Sequence, residues 1–306
     1  MANHPAPKTV LVTGSTGLVG TRLVAALQAE GKQVLRAVRR PVRDAQTELA
    51  WDPIQGEIDQ DRLEGVDAVV HLAGANIAGR RWSEKYKKQI LESRVQGTTL
   101  LSETLAGLTS KPKVFVSASA IGYYGHRFSD ELNESASSGD GFLPEVCLQW
   151  ERACLAADNA GIQVTNLRIG VVLSPQGGAL AKMLLPFQLG IGGQIGDGQQ
   201  YFSWITIDDV VGAIQFVLEQ DSLCGPVNLV TPQAVTNREF TKTLGRVLGR
   251  PTFLPMPAWA ARLAFGEMAD PLLLASARVV PDVLSVAGYN FQYPDLEPAL
   301  RYLLKK

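Results

Sequence analysis

One stretch, Thr9-Val10-Leu11-Val12-Thr13-Gly14-Ser15-Thr16-Gly17-Leu18-Val19-Gly20, constrains the fold of this chain more than any other. A short apolar, β-branched run is followed by three glycines at intervals of three and then by the start of a helical pattern, which predicts strand, tight turn and helix. Gly14 lets the chain turn, Gly17 removes a side chain where backbone must approach a phosphate, and Gly20 lets the helix pack against its own strand. The free N–H groups and the positive dipole end of that helix then face an anion. A ligand-free glycine turn is the alternative, but the strand before and the helix after are what a phosphate cradle requires. Gly14, Ser15, Thr16, Gly17, Leu18 and Val19 are therefore candidate cofactor contacts.

The chain has 306 residues, 46% of them hydrophobic, enough for one large core and a smaller lobe. Its net charge of -1, with acids and bases interspersed, shows neither a nucleic-acid footprint nor a polybasic membrane surface. This leaves small-molecule chemistry. Cys147, Cys154 and Cys224 are too few, and wrongly spaced, for a disulfide framework or a zinc site. Met1 to Pro7 shows no leader pattern, and no run approaches the roughly 18 apolar residues of a membrane span. A cytoplasmic protein is expected.

A first helix through Leu23 and Leu27, stopping near Gly31, should precede a second strand at Gln33 to Val38, closed by Arg39 and Arg40. In a dinucleotide fold an acid at this strand end binds the 2'-hydroxyl of NAD, whereas an arginine accommodates the 2'-phosphate of NADP. The end of this strand has arginines and no acid, so NADP(H) is the expected cofactor. Solvated turn charges before Pro41 are the bland reading, more so for Arg40 than for Arg39. A polar region containing Trp51-Asp52-Pro53 follows. Asp67 to Gly74 then reads as a buried parallel strand whose small end, Leu72-Ala73-Gly74, admits a flat ligand. His71 sits inside that strand and reads as a packed or capping histidine. Arg81 to Leu105 is a long helical pattern carrying Arg94. Val114 to Ser117 is the next strand, and it runs into Ala118 and Ser119 at a carboxyl end, where open α/β sheets bind ligands.

Taken together, these motifs resemble the extended short-chain dehydrogenase/reductase superfamily, the NAD-dependent epimerase/dehydratase-like group, over nearly the whole chain. The resemblance rests on Thr13 to Gly20, Asp67 to Gly74, the serine strand ending at Tyr124-Gly125, Leu167-Arg168, Trp204 to Val210 and Gly225 to Leu229. It implies a Rossmann doubly wound parallel sheet with helices on both faces and a smaller C-terminal substrate lobe. It also implies cofactor contacts at Arg94, which stands at an asparagine place of the family, and at Ser117, Ala118, Gly170 and Val171, with Ser119 as the catalytic-type residue. The family's Tyr-x-x-x-Lys pair is absent: Leu143 and Cys147 occupy those places, as in an atypical branch with a C-terminal extension. If any chemistry remains, Tyr123, Tyr124, Cys147 or water must supply the proton. Cys147 can do so only if a helix N-terminus or an arginine depresses its thiol; otherwise it packs as a small apolar residue.

The expected domains are a nucleotide unit over residues 1–173, to which about 201–232 return, and a smaller lobe of 174–200 and 233–306. Gly190 to Gln200 is glycine-rich and reads as a mobile loop over the cofactor, with Tyr201, Phe202 and Trp204 beside it either as core or as substrate contacts. The helices at 81–105 and 143–161 can form a four-helix homodimer interface or face solvent. The expected function is an NADP(H)-dependent oxidoreductase or epimerase-like enzyme for a small polar, perhaps nucleotide-linked, substrate, without a metal. The alternative is a cofactor-binding sensor that has lost the chemistry.

Overall fold

The computed structural model describes residues 6–306 and has the doubly wound α/β architecture that the glycine turn predicts. The reading of Met1 to Pro7 as free of a leader falls mainly on residues 1–5, outside the described residues. The first strands along the chain are β1 (Thr9–Thr13), β2 (Gln33–Val38), β3 (Glu48–Asp52), β4 (Glu57–Ile58), β5 (Ala68–His71) and β6 (Val114–Ala120). They are followed by β7 (Glu131–Leu132), β8 (Gln163–Ile169), β9 (Val171–Ser174), β10 (Tyr201–Phe202), β11 (Trp204–Thr206), β12 (Gly225–Leu229), β13 (Val235–Thr236) and β14 (Arg278–Val279). Eight of them form the central sheet in the order β12-β8-β6-β5-β1-β2-β3-β4. Only β4 is antiparallel to its neighbour. The strand order reverses between β1 and β5, where ligands of such sheets bind beyond the carboxyl ends.

The strand sequences read as unbroken apolar runs because both sheet faces are covered. Val10, Val12, Val34, Val70 and Val116 point to one face, packed by α1 (Leu18–Ala29) and the later helix at 207–218. Leu11, Leu35, Val69 and Phe115 point to the other, under α2 (Glu84–Gly107), α3 (Phe142–Arg152) and α4 (Leu155–Asn159). Then come α5 (Gly178–Gln188), α6 (Ile207–Leu218), α7 (Asn237–Leu248), α8 (Ala258–Phe265), α9 (Asp282–Val286) and α10 (Leu296–Leu304). Helix starts follow local chemistry: Ser83 and Thr206 accept first-turn N–H groups, and Thr236 with Glu239 forms a capping box that fixes the start of α7. A second core, including Leu180, Phe187, Phe240, Leu244, Leu300 and Leu303, joins α5, α7 and α10.

Three expectations change. The polar region around Trp51 contains β3 and β4, which extend the sheet past β2 with Trp51 buried beneath them. The 143–161 helix is two helices, split where the Cys154 N–H bonds three residues back to the Glu151 carbonyl. Gly190 to Gln200 is pinned: Gly193 bridges Phe253, Ile195 bridges Met256, and the Ile195 N–H donates to Asn237 Oδ1 at 2.8 Å.

The sheet edges are both blunted. β4 has two residues, and β12 contains Pro226, while its Asn228 N–H donates to Glu134 Oε1 and its side-chain amide to the Val280 carbonyl. Among the described residues no helix is long and apolar enough to cross a membrane, and no cluster of three metal-ligating side chains exists. Cys147, Cys154 and Cys224 are free.

His71 is the packed residue that its position implied. Thr13 Oγ1 accepts the Leu72 and Ala73 N–H groups, so its proton goes to His71 Nδ1, 2.7 Å away. The ring lies edge-on to Trp51, and its Nε2 is buried without a partner. Burial lowers the imidazole to about 4. The unfolded chain binds the proton near 6.5 and the folded one does not until about 4, so stability falls as pH drops through that window. Roughly 2 kcal/mol should be lost between pH 7 and pH 5. Urea titrations at both pH values should show this loss in the parent and a clearly smaller one in His71→Asn.

Candidate active site

The glycine loop forms a cradle at the carboxyl end of β1. Gly14 has φ 64° and lies so close to the next strand end that a Cβ would sit 2.7 Å from the Leu72 carbonyl carbon. At Gly20 a Cβ would overlap the Gly14 carbonyl oxygen, so the helix start and the turn touch through backbone alone. Gly17 differs: its N–H bonds to Gly14 O at 2.9 Å, its face is exposed, and the nearest atom to an added Cβ is that oxygen at 3.2 Å. Helix α1 starts just after Gly17, without a side-chain cap and without an acid in its first turn. Its first N–H groups are thus left for an external anion. Ser15 is buried behind the loop, Thr16 is exposed, and Leu18 packs under Gly177. The Thr13 hydroxyl ties Leu72 and Ala73 to the cradle, and Gly74 lies against the Arg94 side chain.

At the end of β2 the two arginines part company. Arg40 grips Glu48 at 2.6 and 2.9 Å, and Arg36 holds the same carboxylate at 2.8 Å. Arg40 holds Glu48 down to about 2, so the acid at this strand end is ionised and engaged. Arg39 is exposed and makes no ion pair among the described residues.

A cavity of about 870 Å³ opens beyond the carboxyl ends of β6 and β8, between them and the C-terminal segment. Ala120, Ile121 and Gly122 border it from one strand end and Ile169, Gly170 and Val171 from the other. Ser117 and Ala118 do not reach it, because β6 continues to Ala120 and buries them. Arg94 borders it with its guanidinium over the Trp150 ring, 4.9 Å from the centroid, and without a carboxylate partner. Burial lowers that guanidinium. The Trp150 Nε1–H, also at this wall, is buried without an acceptor. Tyr201 and Phe202 line the cavity, whereas Trp204 is wholly buried core. Among the described residues, no group bonds the Tyr201 hydroxyl, while its backbone N–H donates to Ser276 Oγ.

Ser119 lies elsewhere. It is 3% exposed, and its hydroxyl donates to Glu151 Oε1 at 2.7 Å. Glu151 takes both ends of the Arg168 fork at 2.9 Å, and Arg168 Nη1 donates to the Tyr124 hydroxyl, which donates to Asn228 Oδ1. The Arg168 guanidinium also stacks on Tyr123, 3.4 Å from the ring centroid. The Ser119 hydroxyl proton is thus engaged by the Glu151–Arg168 ion pair, and Tyr123 and Tyr124 belong to the same network. Nothing in the motifs foretold it, yet one signal was there: Arg168 interrupts an apolar strand, and a charge in such a place needs a partner. Cys147 occupies the sixth position of α3, away from the helix start. Burial pushes its thiol up to about 12, so it packs as a neutral side chain.

Comparison with known proteins gives the family and the fold. The model of the NAD-dependent epimerase/dehydratase family matches residues 10–229, and a domain of unknown function, DUF1731, matches 256–303. Epimerase family protein Mb2239 of Mycobacterium bovis is 45% identical over 293 residues, 96% of either chain. Human epimerase family protein SDR39U1 is 37% identical over 298 residues, 96% of this chain and 99% of its own. The crystal structure of the human protein with NADPH superimposes with a TM-score of 0.88 at 35% identity, covering 97% of this chain and 99% of that one. MoeE5, solved with UDP-glucose and NAD, shares the fold at a TM-score of 0.74 and 23% identity, over 97% of each chain. The chain belongs to the NAD-dependent epimerase/dehydratase family and carries the DUF1731 domain at its C-terminal end.

Proposed function

We propose that this protein is an NADP(H)-dependent oxidoreductase, or an epimerase-like relative of one, that works on a small-molecule carbonyl compound. Residues 174–200 and 233–306 act as the lobe that closes over the substrate. The observation that carries the cofactor choice is the end of β2, where Glu48 is neutralised by Arg36 and Arg40 while Arg39 stays exposed and unpaired. That leaves a cation for a 2'-phosphate and no acceptor for a 2'-hydroxyl. The NADPH in the human relative's structure supports the same reading.

The first turn of α1 and the Gly14–Gly17 loop hold the pyrophosphate; Leu72, Ala73, Gly74 and Arg94 border the ribose side, and Gly170 and Val171 the nicotinamide side. When bound, the cofactor supplies or accepts a hydride. Leu143 and Cys147 provide neither phenol nor cation, so we assign proton delivery to Tyr201, a cavity-lining residue whose hydroxyl is bonded by no group among the described residues. Turnover retained by Tyr201→Phe would reassign that step to water.

Arg39→Ala should weaken NADPH binding about 10- to 100-fold, the worth of one charge-assisted phosphate contact, and leave NADH nearly unchanged. Fluorescence titration of both cofactors checks this, and equal losses would remove the 2'-phosphate assignment. The missing Tyr-x-x-x-Lys pair favours a second reading, a cofactor-binding sensor. Turnover separates the two, since a sensor binds NADPH without oxidising it.

A further inference from the structure

The cavity wall contributed by the DUF1731 domain has a chemical character that narrows the substrate. Asp270–Leu274 forms a single π-helical turn, a rare geometry often found at functional sites, and it presents Leu272, Leu273 and Leu274 to the cavity. Leu272 packs in one apolar cluster with Trp82, Leu143 and Val146, all of which border the same space.

The polar side chains of the lining are mostly committed to holding that wall in place. The Gln200 amide donates to the Ile195 and Leu273 carbonyls, and the Ser203 hydroxyl donates to the Ala277 carbonyl. Most of its charges are paired: Glu267 is held by Lys87 at 2.9 Å, which leaves Arg94 and Asp140 as the lining charges without an ion pair among the described residues. Arg262 is neutralised by both oxygens of Asp270, at 2.9 to 3.2 Å. Arg94 is the cation left without a carboxylate in this lining, and it lies on the cofactor side against Gly74. The start of α3, which also borders the cavity, has Asp140 just before it and Glu145 in its first turn, so its dipole is already answered by acids. A nucleoside diphosphate needs cations or free N–H donors for its two phosphates. The substrate half of the cavity offers it one indole N–H, from Trp150, no unpaired cation among the described residues, and the open carboxylate of Asp140.

We propose that the DUF1731 domain builds a substrate site for a neutral, predominantly apolar carbonyl compound, and that nucleotide-linked sugars are not accepted there. This rests on the oxidoreductase reading above and replaces the polar, nucleotide-linked substrate expected from the sequence.

The test uses the full chain loaded with NADPH, with acetophenone as the neutral aromatic ketone and UDP-glucose as the competitor class, both followed by saturation-transfer NMR. Acetophenone should show saturable contact and UDP-glucose none at the same millimolar concentration. Leu272→Asp should weaken acetophenone by about 10-fold or more, the scale of one leucine contact surface, with NADPH affinity unchanged. Leu272→Ala, the milder change, should give a smaller loss in the same direction and guards against a folding defect. Saturable binding of UDP-glucose, absence of acetophenone contact, or indifference to both substitutions would each overturn the proposal. If the parent failed to bind NADPH, the cofactor reading would fall by itself, and the same titrations on the free protein would still decide the substrate class.

Discussion

Gly17→Val will fold as the parent does and lose NADPH binding. Gly17 has φ -75° and ψ 175°, an extended conformation that valine adopts readily, and its Cβ would meet one backbone oxygen at 3.2 Å that needs to yield only slightly. The new side chain would project into the space in front of the α1 N-terminus, where the pyrophosphate must approach. Losing two or more charge-assisted hydrogen bonds, at about 1.5–3 kcal/mol each, predicts a fall in affinity of at least ~100-fold. Gly20→Val is the counterpart: its Cβ would overlap the Gly14 carbonyl, so the loop itself must break and the melting temperature should drop. NADPH fluorescence titration and thermal melts of both variants check the pair. Parent-like NADPH binding by Gly17→Val would mean that the cofactor lies elsewhere.

Glu151→Ala should cost about 3–5 kcal/mol of stability, the typical penalty for stranding one charge of a buried pair. Arg168 is 3% exposed, and its two strongest acceptors belong to that one carboxylate. Without it the guanidinium retains only the Tyr124 hydroxyl and the Glu134 carbonyl. Replacing both partners, as in Glu151→Ala with Arg168→Met, removes the stranded charge, and this double variant should be more stable than the single one. Urea unfolding at neutral pH measures both; a single-variant loss under about 1 kcal/mol would show that water reaches the site and solvates the arginine.

How much of this was legible in the sequence follows from how local each signal is. The glycine cradle and β2 are set by neighbours within a few residues, and they lie where the pattern put them. β3 and β4 were hidden because Glu48 and Trp51 reveal their burial only when Arg36, Arg40 and His71 are brought to them from elsewhere in the sheet. The split at Ala153-Cys154 involves neither glycine nor proline, so no breaker marks it. Ser119 was placed by its motif but not by its partner, since Glu151 lies 32 residues away. The cavity's character was the least accessible, because Leu143 and Leu272 come from segments that meet only in the folded chain.

The two blunted sheet margins carry a consequence for the protein's behaviour in a crowded solution. A row of open N–H and C=O groups is a template for chain-to-chain strand addition, and here neither margin offers one of useful length. β4 ends the sheet after two residues, while at β12 the proline has no N–H to give and the Asn228 N–H is already taken by Glu134. The central sheets of two copies therefore have no edge of useful length at which to join. Asn228 does both jobs at this margin, its N–H closed off by Glu134 and its side-chain amide fastening the DUF1731 domain to the edge strand through the Val280 carbonyl.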